Sequence, residues 1–378
     1  MNAETPTIPH GQPRGPVLPK GLDTPCLVID LDIAEANARR MAEAMAARGV
    51  ALRPHIKTHK SVALARLQLA AGAVGLTVGT LGEAEVMADG GCTDIFIAYP
   101  LWLSGRKADR LRSLLERPGL KLSLGIDTVA GAQQIARAVG EAADRLQVLV
   151  EIDPRYHRTG ADPKRAGEVA RGARDAGLAV AGIFTHGGHG YAGVAAAARA
   201  AEDEVETLQQ AAQDLSRMGI EPRVISAGSS PTAMAAARPP INEMRPGVYL
   251  LGDRQQVHLG GSPPDGVAVA LAATVVSDAV EGQVVLDAGA KSLTKDVPAY
   301  LEGHGFLPAY PDTVIGRVSD YHGVVPLPEG ARRPEVGEVV AVIPNHACPV
   351  VDLFDSFIAT RSGEVVGRWP VDARGRSG

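Results

Sequence analysis

The feature that most constrains this chain is a regular alternation between short β-rich runs and longer segments with helical periodicity. A first strand and helix start near residue 26, and eight further predicted strands with intervening helices follow between residues 51 and 251. Parallel strands joined by helices, eight in number, predict a closed (β/α)8 barrel of the TIM type. A doubly wound open sheet is the competing interpretation, but no G-x-G-x-x-G sequence follows an early strand.

The pattern changes near residue 267, where the helical period almost disappears. The remainder is rich in Val, Gly and Pro and contains several short predicted strands, which is typical of an all-β domain. The sequence therefore predicts three parts. These are a flexible, proline-rich tail at residues 1–20, an N-terminal (β/α)8 barrel at residues 21–262, and a C-terminal β-domain at residues 263–378.

Charge and composition exclude several classes of function. The formal net charge is -5, so no basic character favours nucleic acid or an anionic membrane as a partner. The longest apolar run, near residues 267–276, is far shorter than the ~20 residues that a membrane span needs. Three cysteines are too few for a disulfide framework, and the amino terminus has no hydrophobic signal core. We expect a soluble, cytoplasmic protein.

Three loops that follow predicted barrel strands carry the residues of most chemical interest, because barrel active sites lie at the carboxyl ends of strands. Lys57 lies in the sequence RPHIKTHK, where lost solvation and nearby cations would free its amine to attack a carbonyl. Arg158 suits a phenolate or carboxylate, and the loop at residues 226–232 offers N–H groups and hydroxyls to a phosphate. Together they describe a pyridoxal 5'-phosphate (PLP) site. The alternatives are surface loops and a plain helix cap.

The predicted β-domain contains one further candidate site. His346 and Cys348 stand two residues apart, and on an extended segment their side chains would point the same way and share one metal ion. A buried structural cysteine is the alternative.

Together these motifs resemble the alanine-racemase-like fold type of PLP enzymes, and within it the D-threonine aldolase / D-serine dehydratase family. The resemblance extends from Asp23 to about Arg374. The motifs that carry it are Thr24-Pro25 and residues 53–60, 151–153, 157–160, 185–191, 226–232, 245–247, 286–289, 321–323 and 344–349.

The resemblance implies a barrel that holds PLP, a β-domain that holds a divalent metal, and a homodimer. Lys57 would form the Schiff base with the cofactor. Gly228, Ser229 and Ser230 would contact the phosphate of the cofactor, and Arg158 would lie near its phenolic oxygen. Tyr191 and Tyr249 would line the pocket. His346 and Cys348 would bind the metal. Zinc is expected because a thiolate prefers a softer ion, with manganese or magnesium as alternatives.

The implied activity is that of a lyase on β-hydroxy D-amino acids. The H-x-C pair favours a D-serine dehydratase-like enzyme, which converts D-serine or D-3-hydroxyaspartate to a 2-oxo acid and ammonia. In this reaction Lys57 is the expected base at Cα. The alternative is D-threonine aldolase-type cleavage to glycine and an aldehyde, for which His59 and His189 are candidate bases.

Two more remote alternatives are an amino-acid racemase and a non-catalytic PLP-binding protein. A racemase of this fold type is expected to have a catalytic tyrosine in its β-domain, and no tyrosine there lies in a matching motif. The non-catalytic proteins lack a β-domain. The role of His322 is open between support for the metal site and a surface turn.

Overall fold

The computed structural model describes residues 11–378, so the first half of the predicted tail lies outside the described residues. The second half differs from the predicted flexible segment. Pro13 and Pro16 are buried, and the Arg14 N–H donates to the carbonyl of Pro264 at 2.9 Å. Leu18 packs against two apolar clusters. Parts of residues 11–20 therefore contact the folded chain.

The secondary structure alternates as predicted up to residue 259 and is mainly strand afterwards. The strands are β1 (Cys26–Asp30), β2 (Ala51–Leu52), β3 (Leu76–Val78), β4 (Asp94–Ile97), β5 (Lys121–Ile126), β6 (Leu146–Ile152), β7 (Ala179–Thr185), β8 (Val224–Ala227), β9 (Glu243–Met244), β10 (Val269–Ser277), β11 (Gln283–Leu286), β12 (Gly305–Phe306), β13 (Arg317–Val318), β14 (Gly323–Pro326), β15 (Val339–Pro344), β16 (Ser356–Arg361) and β17 (Glu364–Pro370). The α-helices are α1 (Leu31–Ala46), α2 (Val62–Ala70), α3 (Leu81–Asp89), α4 (Arg106–Leu115), α5 (Val129–Val139), α6 (Ala166–Asp175), α7 (Val194–Arg217), α8 (Ala233–Ala236), α9 (Arg254–Leu259), α10 (Ala290–Leu293) and α11 (Ala347–Val351).

Several helices start at a side-chain cap directly after a strand or loop. Thr80 accepts from the Glu83 N–H at the start of α3, and Thr128 accepts from the Gly131 N–H at the start of α5. Each cap satisfies an N–H group that the first helical turn leaves without a backbone acceptor. In α4 the buried residues are Ala108, Leu111, Leu114 and Leu115, which form one apolar face.

The chain divides into two compact units. Among the described residues, the strand unit comprises the segment up to Asn37, Ala192–Val194 and Val248–Pro370, and the barrel unit comprises Ala38–Tyr191, Ala195–Gly247 and Val371–Gly378. The predicted boundary between residues 262 and 263 stays a prediction. The strand unit is not continuous in sequence, because β1, near the start of the chain, pairs with β10 and β16.

The barrel unit contains eight parallel strands in the order β2-β9-β8-β7-β6-β5-β4-β3. Backbone hydrogen bonds also join the two ends of this order. The Val74 N–H donates to the carbonyl of Leu52 at 2.9 Å, and the Thr77 N–H donates to that of Pro54 at 2.8 Å. The sheet therefore closes on itself, and the predicted (β/α)8 barrel is confirmed.

The strand unit contains a nine-stranded sheet with the path β13-β14-β11-β10-β1-β16-β17, in which β15 also pairs with β10 and β12. Its core includes Leu271, Leu286, Ile315 and Val342, all fully buried. The predicted β-domain is confirmed as a mainly β fold. Strand β1, which precedes the eight barrel strands in the chain, also belongs to this sheet, because it is antiparallel to β10 and parallel to β16. No helix among residues 11–378 has both the length and the apolarity of a membrane span.

Gly182 tests how tightly the barrel strands pack. A Cβ added there would lie 1.8 Å from the carbonyl oxygen of Val224 on the neighbouring strand β8, so backbone would have to move. We expect Gly182→Ala to lower the free energy of unfolding by about 3 kcal/mol, measured by denaturant titration. Gly79→Ala is the matched control, since its Cβ would meet only ordinary contacts at 3.6 Å and beyond. Equal stability of the two variants would contradict this packing.

Candidate active site

Lys57 lies in a single 3-10 turn, Ile56–Thr58, directly after β2. The flanking residues Ile56 and Thr58 are buried, whereas the Lys57 side chain is exposed. Several hydrogen bonds fix the backbone of this turn. The Lys57 N–H donates to Nδ1 of His55 at 3.2 Å, and the carbonyl of Lys60 accepts from the Ala373 N–H at 2.9 Å. The backbone of this turn is therefore held in place, while the Lys57 side chain extends from it into an exposed position.

Two histidines of the barrel unit lie close to Lys57. Burial and then the positive charge of Lys57 hold the pKa of His55 and of His186 well below the ordinary value. The charges of Arg158 and Arg245 also lower the pKa of His186. These rings are neutral at pH 7, and the cations around them make this end of the barrel favourable for an anionic ligand.

The predicted phosphate loop follows β8 and contains a compact hydroxyl-bonded turn. The Ser229 N–H donates to Oγ1 of Thr232 at 3.1 Å, and the two hydroxyl oxygens are 3.0 Å apart. Thr232 makes no side-chain cap bond to α8, so the turn is not a plain helix cap. Gly228 has φ +101°, and a Cβ there would lie 2.4 Å from Sδ of Met244. Only glycine fits this position without a local shift.

A fully buried carboxylate of α7 links two of the site loops. Oε1 of Glu204 accepts from the Gly187 N–H at 2.7 Å and from the Gly228 N–H at 3.2 Å. Burial raises the pKa of Glu204. Because Gly187 follows β7 and Gly228 follows β8, this one side chain sets the spacing between the two loops.

Arg158 lies at the end of a tightly held loop after β6. Its guanidinium is 3.6 Å from Oε1 of the buried Glu151 and 5.6 Å from the centre of the Tyr156 ring. Asp153 stabilises the loop, since its carboxylate accepts from the N–H groups of Tyr156 and His157 at 2.8 and 2.9 Å. Arg158 is thus oriented by a carboxylate and an aromatic face while its side chain stays exposed.

Four rings meet where β6 and β7 end. Tyr156 lies 6.3 Å from His186 and 6.1 Å from His189, measured between ring centres, and Tyr191 lies 6.5 Å from His186. Nε2 of His189 contacts Oδ2 of Asp203 at 3.1 Å. Its Nδ1 is buried and has no hydrogen-bond partner within residues 11–378. His189 therefore has one ring nitrogen held by a carboxylate, while its buried second nitrogen keeps an unused hydrogen-bonding position among the described residues.

His59, the other candidate base, is in a different situation. Its ring is fully buried, Nδ1 accepts from the Ser61 N–H at 3.1 Å, and Nε2 is 3.0 Å from Oε1 of Gln68. Both nitrogens already have partners, so this geometry favours a structural role. Tyr249 is buried in the turn Val248–Leu250 and belongs to the strand unit.

The candidate metal pair lies in the strand unit, after β15. His346 has extended backbone, but Cys348 lies in the short helix α11, so the pair does not occupy one extended segment as predicted. Nδ1 of His346 is 2.9 Å from Oδ2 of Asp296. Burial lowers the pKa of His346, but the charge of Cys348 and hydrogen bonds with Asp296 and Cys348 raise it to about 11. His322 is exposed in the turn before β14, which agrees with the surface-turn alternative.

The donor set of this pair fits a divalent ion. Imidazole and thiol lie within hydrogen-bonding reach, and nitrogen with sulfur is the combination that zinc prefers. Across residues 11–378 no group of three or more His, Cys, Asp or Glu side chains is arranged to hold a metal. This pair could therefore contribute two ligands, an imidazole nitrogen and a thiolate sulfur, to such an ion.

Two protein-family models match consecutive parts of this chain. The model of the alanine racemase N-terminal domain matches residues 29–255, and that of the putative serine dehydratase domain matches residues 268–360. D-threo-3-hydroxyaspartate dehydratase of Delftia sp. (strain HT23) is 35% identical over 370 residues, which cover 92% of this chain and 97% of that protein. The chain belongs to the D-threonine aldolase / D-serine dehydratase family. This family has a PLP-dependent fold.

Other similar proteins are named D-threonine aldolases. D-threonine aldolase of Arthrobacter sp. is 32% identical and covers 98% of this chain and 97% of its own. The solved D-threonine aldolase of Filomicrobium marinum is 30% identical, covers 95% and 98% of the two chains, and superposes with a TM-score of 0.83. The Delftia dehydratase superposes with the same TM-score. A cysteine-to-alanine variant of a D-threo-3-hydroxyaspartate dehydratase is known in a metal-free form and also superposes with a TM-score of 0.83.

Several residues that contact the candidate site residues were not predicted from the sequence. Glu204 and Asp203 lie inside the long helix α7, and their partners are N–H groups and a ring on other loops. No local pattern distinguishes them from other acidic residues of that helix. Tyr156 had a usable signal, because it stands two residues before Arg158 in the same loop. Asp296 pairs with a ring fifty residues away.

Glu204 is expected to hold the two loops together. In Glu204→Ala the buried N–H groups of Gly187 and Gly228 lose their acceptor, so we expect the free energy of unfolding to fall by about 3 kcal/mol. Glu204→Gln keeps an acceptor oxygen and should lose less than half of that. Glu202→Ala, exposed on the same helix, is the control. Chemical denaturation measures all three, and a loss in Glu204→Ala no larger than in the control would refute the assignment.

His59 should make the stability depend on pH. Burial lowers its pKa from 6.5 to about 4, so between these values the unfolded chain binds a proton that the folded chain does not. Its contribution is complete above pH 6.5 and is lost as the pH falls toward 4, by about 3 kcal/mol in all. Unfolding titrations from pH 7 to pH 4.5 should show a shallower slope for His59→Gln. His322→Gln, the same substitution at an exposed histidine, is the matched control.

Proposed function

We propose that this protein is a PLP- and divalent-metal-dependent lyase of β-hydroxy D-amino acids, and specifically a dehydratase that yields a 2-oxo acid and ammonia. The observation that carries the proposal is the exposed Lys57 amine on a rigid turn in a cationic barrel end. The dehydratase assignment is supported by the His346–Cys348 pair and by the 35% identity to a D-threo-3-hydroxyaspartate dehydratase.

The barrel residues suit PLP. Ser229 and Ser230 place hydroxyls beside Gly228, whose backbone allows close approach of a phosphate. Arg158 offers guanidinium N–H groups to the phenolic oxygen. When bound, PLP supplies an electron sink for charge that develops at the substrate Cα.

The protein's own groups then move the protons. Lys57 Nζ would hold the cofactor, and the Lys57 amine is the group that would take the proton from Cα of a β-hydroxy amino acid. Tyr156 and Tyr191 contribute to the aromatic wall around His186 and limit the space for the side chain of the substrate. Glu204 keeps the loops after β7 and β8 at a fixed spacing during these steps.

His346 and Cys348 would hold the divalent ion, and we propose zinc because of the thiolate, with manganese or magnesium as alternatives. Such an ion supplies Lewis acidity toward an oxygen ligand. We also propose a homodimer and a cytoplasmic location, on the family resemblance and on the cysteine content.

Retro-aldol cleavage to glycine and an aldehyde is the second candidate, and a specific geometry favours it. The His189 ring is held by Asp203 at Nε2 and keeps a buried Nδ1 without a partner within residues 11–378. Such a nitrogen is suited to take the proton from a β-hydroxyl group. The two D-threonine aldolases of 32% and 30% identity support this alternative.

Product analysis separates the two reactions. We expect the purified protein with PLP and Zn²⁺ to release a 2-oxo acid and ammonia from D-serine or D-threo-3-hydroxyaspartate. Formation of glycine and acetaldehyde from D-threonine as the faster reaction would favour the aldolase. Interconversion of amino acid enantiomers without ammonia would indicate a racemase.

Lys57→Ala should remove both turnover and the near-visible absorbance of the bound cofactor. Lys107→Ala, an exposed lysine on α4, should keep both. Borohydride reduction followed by peptide mapping should find the cofactor on Lys57, and an adduct elsewhere would overturn the assignment.

A further inference from the structure

We propose that Asp296 is a positioning residue of the metal site, whose carboxylate fixes the His346 ring so that Nε2 faces the ion. The inference rests on the metal-binding part of the proposed function. Its first support is the 2.9 Å contact between Oδ2 of Asp296 and Nδ1 of His346.

The chemistry of this contact assigns the proton. An ionised carboxylate only accepts hydrogen bonds, so the hydrogen of a neutral His346 ring must be on Nδ1. The lone pair is then on Nε2, which is the nitrogen left to bind a metal. A carboxylate behind a metal-binding imidazole also raises the basicity of the ring and restricts its rotation.

Asp296 is itself held in place by the residue next to His346. Nδ2 of the buried Asn345 donates to the carbonyl of Asp296 at 3.1 Å and to that of Gly303 at 2.8 Å. Oδ1 of Asn345 accepts from Arg254 at 3.1 Å. The loop between residues 296 and 303 is therefore fastened to the turn that carries the metal pair.

A second carboxylate fixes the backbone between the two ligands. Oδ2 of Asp253 accepts from the Ala347 N–H at 2.8 Å, and Oδ1 accepts from the Gln256 N–H at 2.7 Å. Asp253 is completely buried. Asp253 thus holds the spacer residue and Asp296 holds the ring, so His346 and Cys348 are positioned before an ion arrives.

The alternative is an ordinary surface ion pair. The Asp296 side chain is 46% exposed, and exposed pairs contribute little to stability. Loss of such a pair would leave the affinity for a metal unchanged. Metal affinity therefore distinguishes the two interpretations, and it can be measured without any turnover.

The test uses the full-length, PLP-loaded protein after treatment with a chelator and desalting. Zn²⁺ affinity is measured by competition with a chromophoric chelator. We expect Asp296→Ala to weaken Zn²⁺ binding by about 10- to 100-fold. Asp296→Asn keeps an oxygen that accepts the Nδ1 hydrogen but removes the charge, so we expect an intermediate loss.

Two control variants show the Zn²⁺ affinities expected with and without an intact site. Asp320→Ala removes an exposed carboxylate of the same unit that pairs with Lys291 at 3.6 Å, and it should bind Zn²⁺ like the wild type. His346→Ala should lose most of the affinity. Thermal unfolding of each metal-free variant checks the fold, and if Asp296→Ala is unfolded, the test rests on a loss of at least threefold in Asp296→Asn.

The outcomes distinguish this inference from the proposed function. If His346→Ala weakens Zn²⁺ binding while both Asp296 variants match the wild type, the role of Asp296 is refuted and the metal site stands. If neither His346→Ala nor Cys348→Ala weakens binding, the metal site of the proposed function fails, and the role of Asp296 fails with it.

Discussion

The barrel depends on a chain of buried polar contacts that crosses four neighbouring strands. Nε of Arg53 donates to Glu243 at 2.8 Å, and the other oxygen of Glu243 accepts from Ser226 at 2.7 Å. Arg245 donates to Ser226 and to the carbonyl of Thr185. Buried charges are tolerated only when they are paired and hydrogen-bonded, so these contacts must all form together. They fix the strands β2, β9, β8 and β7 relative to one another.

The loops of the candidate site directly follow three of these strands. Lys57 follows β2, His186 follows β7 and Gly228 follows β8. Because the polar contacts fix the positions of these strands, they also fix where each loop begins. Arg245 also lies against the faces of Phe96 and Phe184, at 5.8 and 5.2 Å from the ring centres. Burial lowers its pKa to about 10, which still leaves the guanidinium charged at pH 7. This charge contributes to a site with a preference for anions.

In the strand unit, the two candidate metal ligands His346 and Cys348 follow the end of strand β15. Two carboxylates from separate segments, those of Asp253 and Asp296, bond to the turn around His346. The amide of Asn345, within the turn, bonds back to the carbonyls of Asp296 and Gly303. The acceptor oxygens already lie opposite the N–H groups that donate to them, so the proposed binding of an ion would need little reorganisation of this turn. Both units thus rely on buried or partly buried carboxylates to fix short functional turns.

The sequence by itself determined the barrel, the mainly β second part and the motif residues such as Lys57, Gly228 and His346. The reason is that periodicity and turn chemistry are local properties, and the motifs are short and contiguous. It did not determine the place of β1, because strand pairing is decided by partners over two hundred residues away. Only the tertiary structure identified Glu204, Asp203 and Asp296, and only it showed that His59 has both ring nitrogens occupied. An acidic residue on a helix or in a loop acquires such a role solely through the N–H group or ring that folding brings to it, and no local pattern encodes that distance.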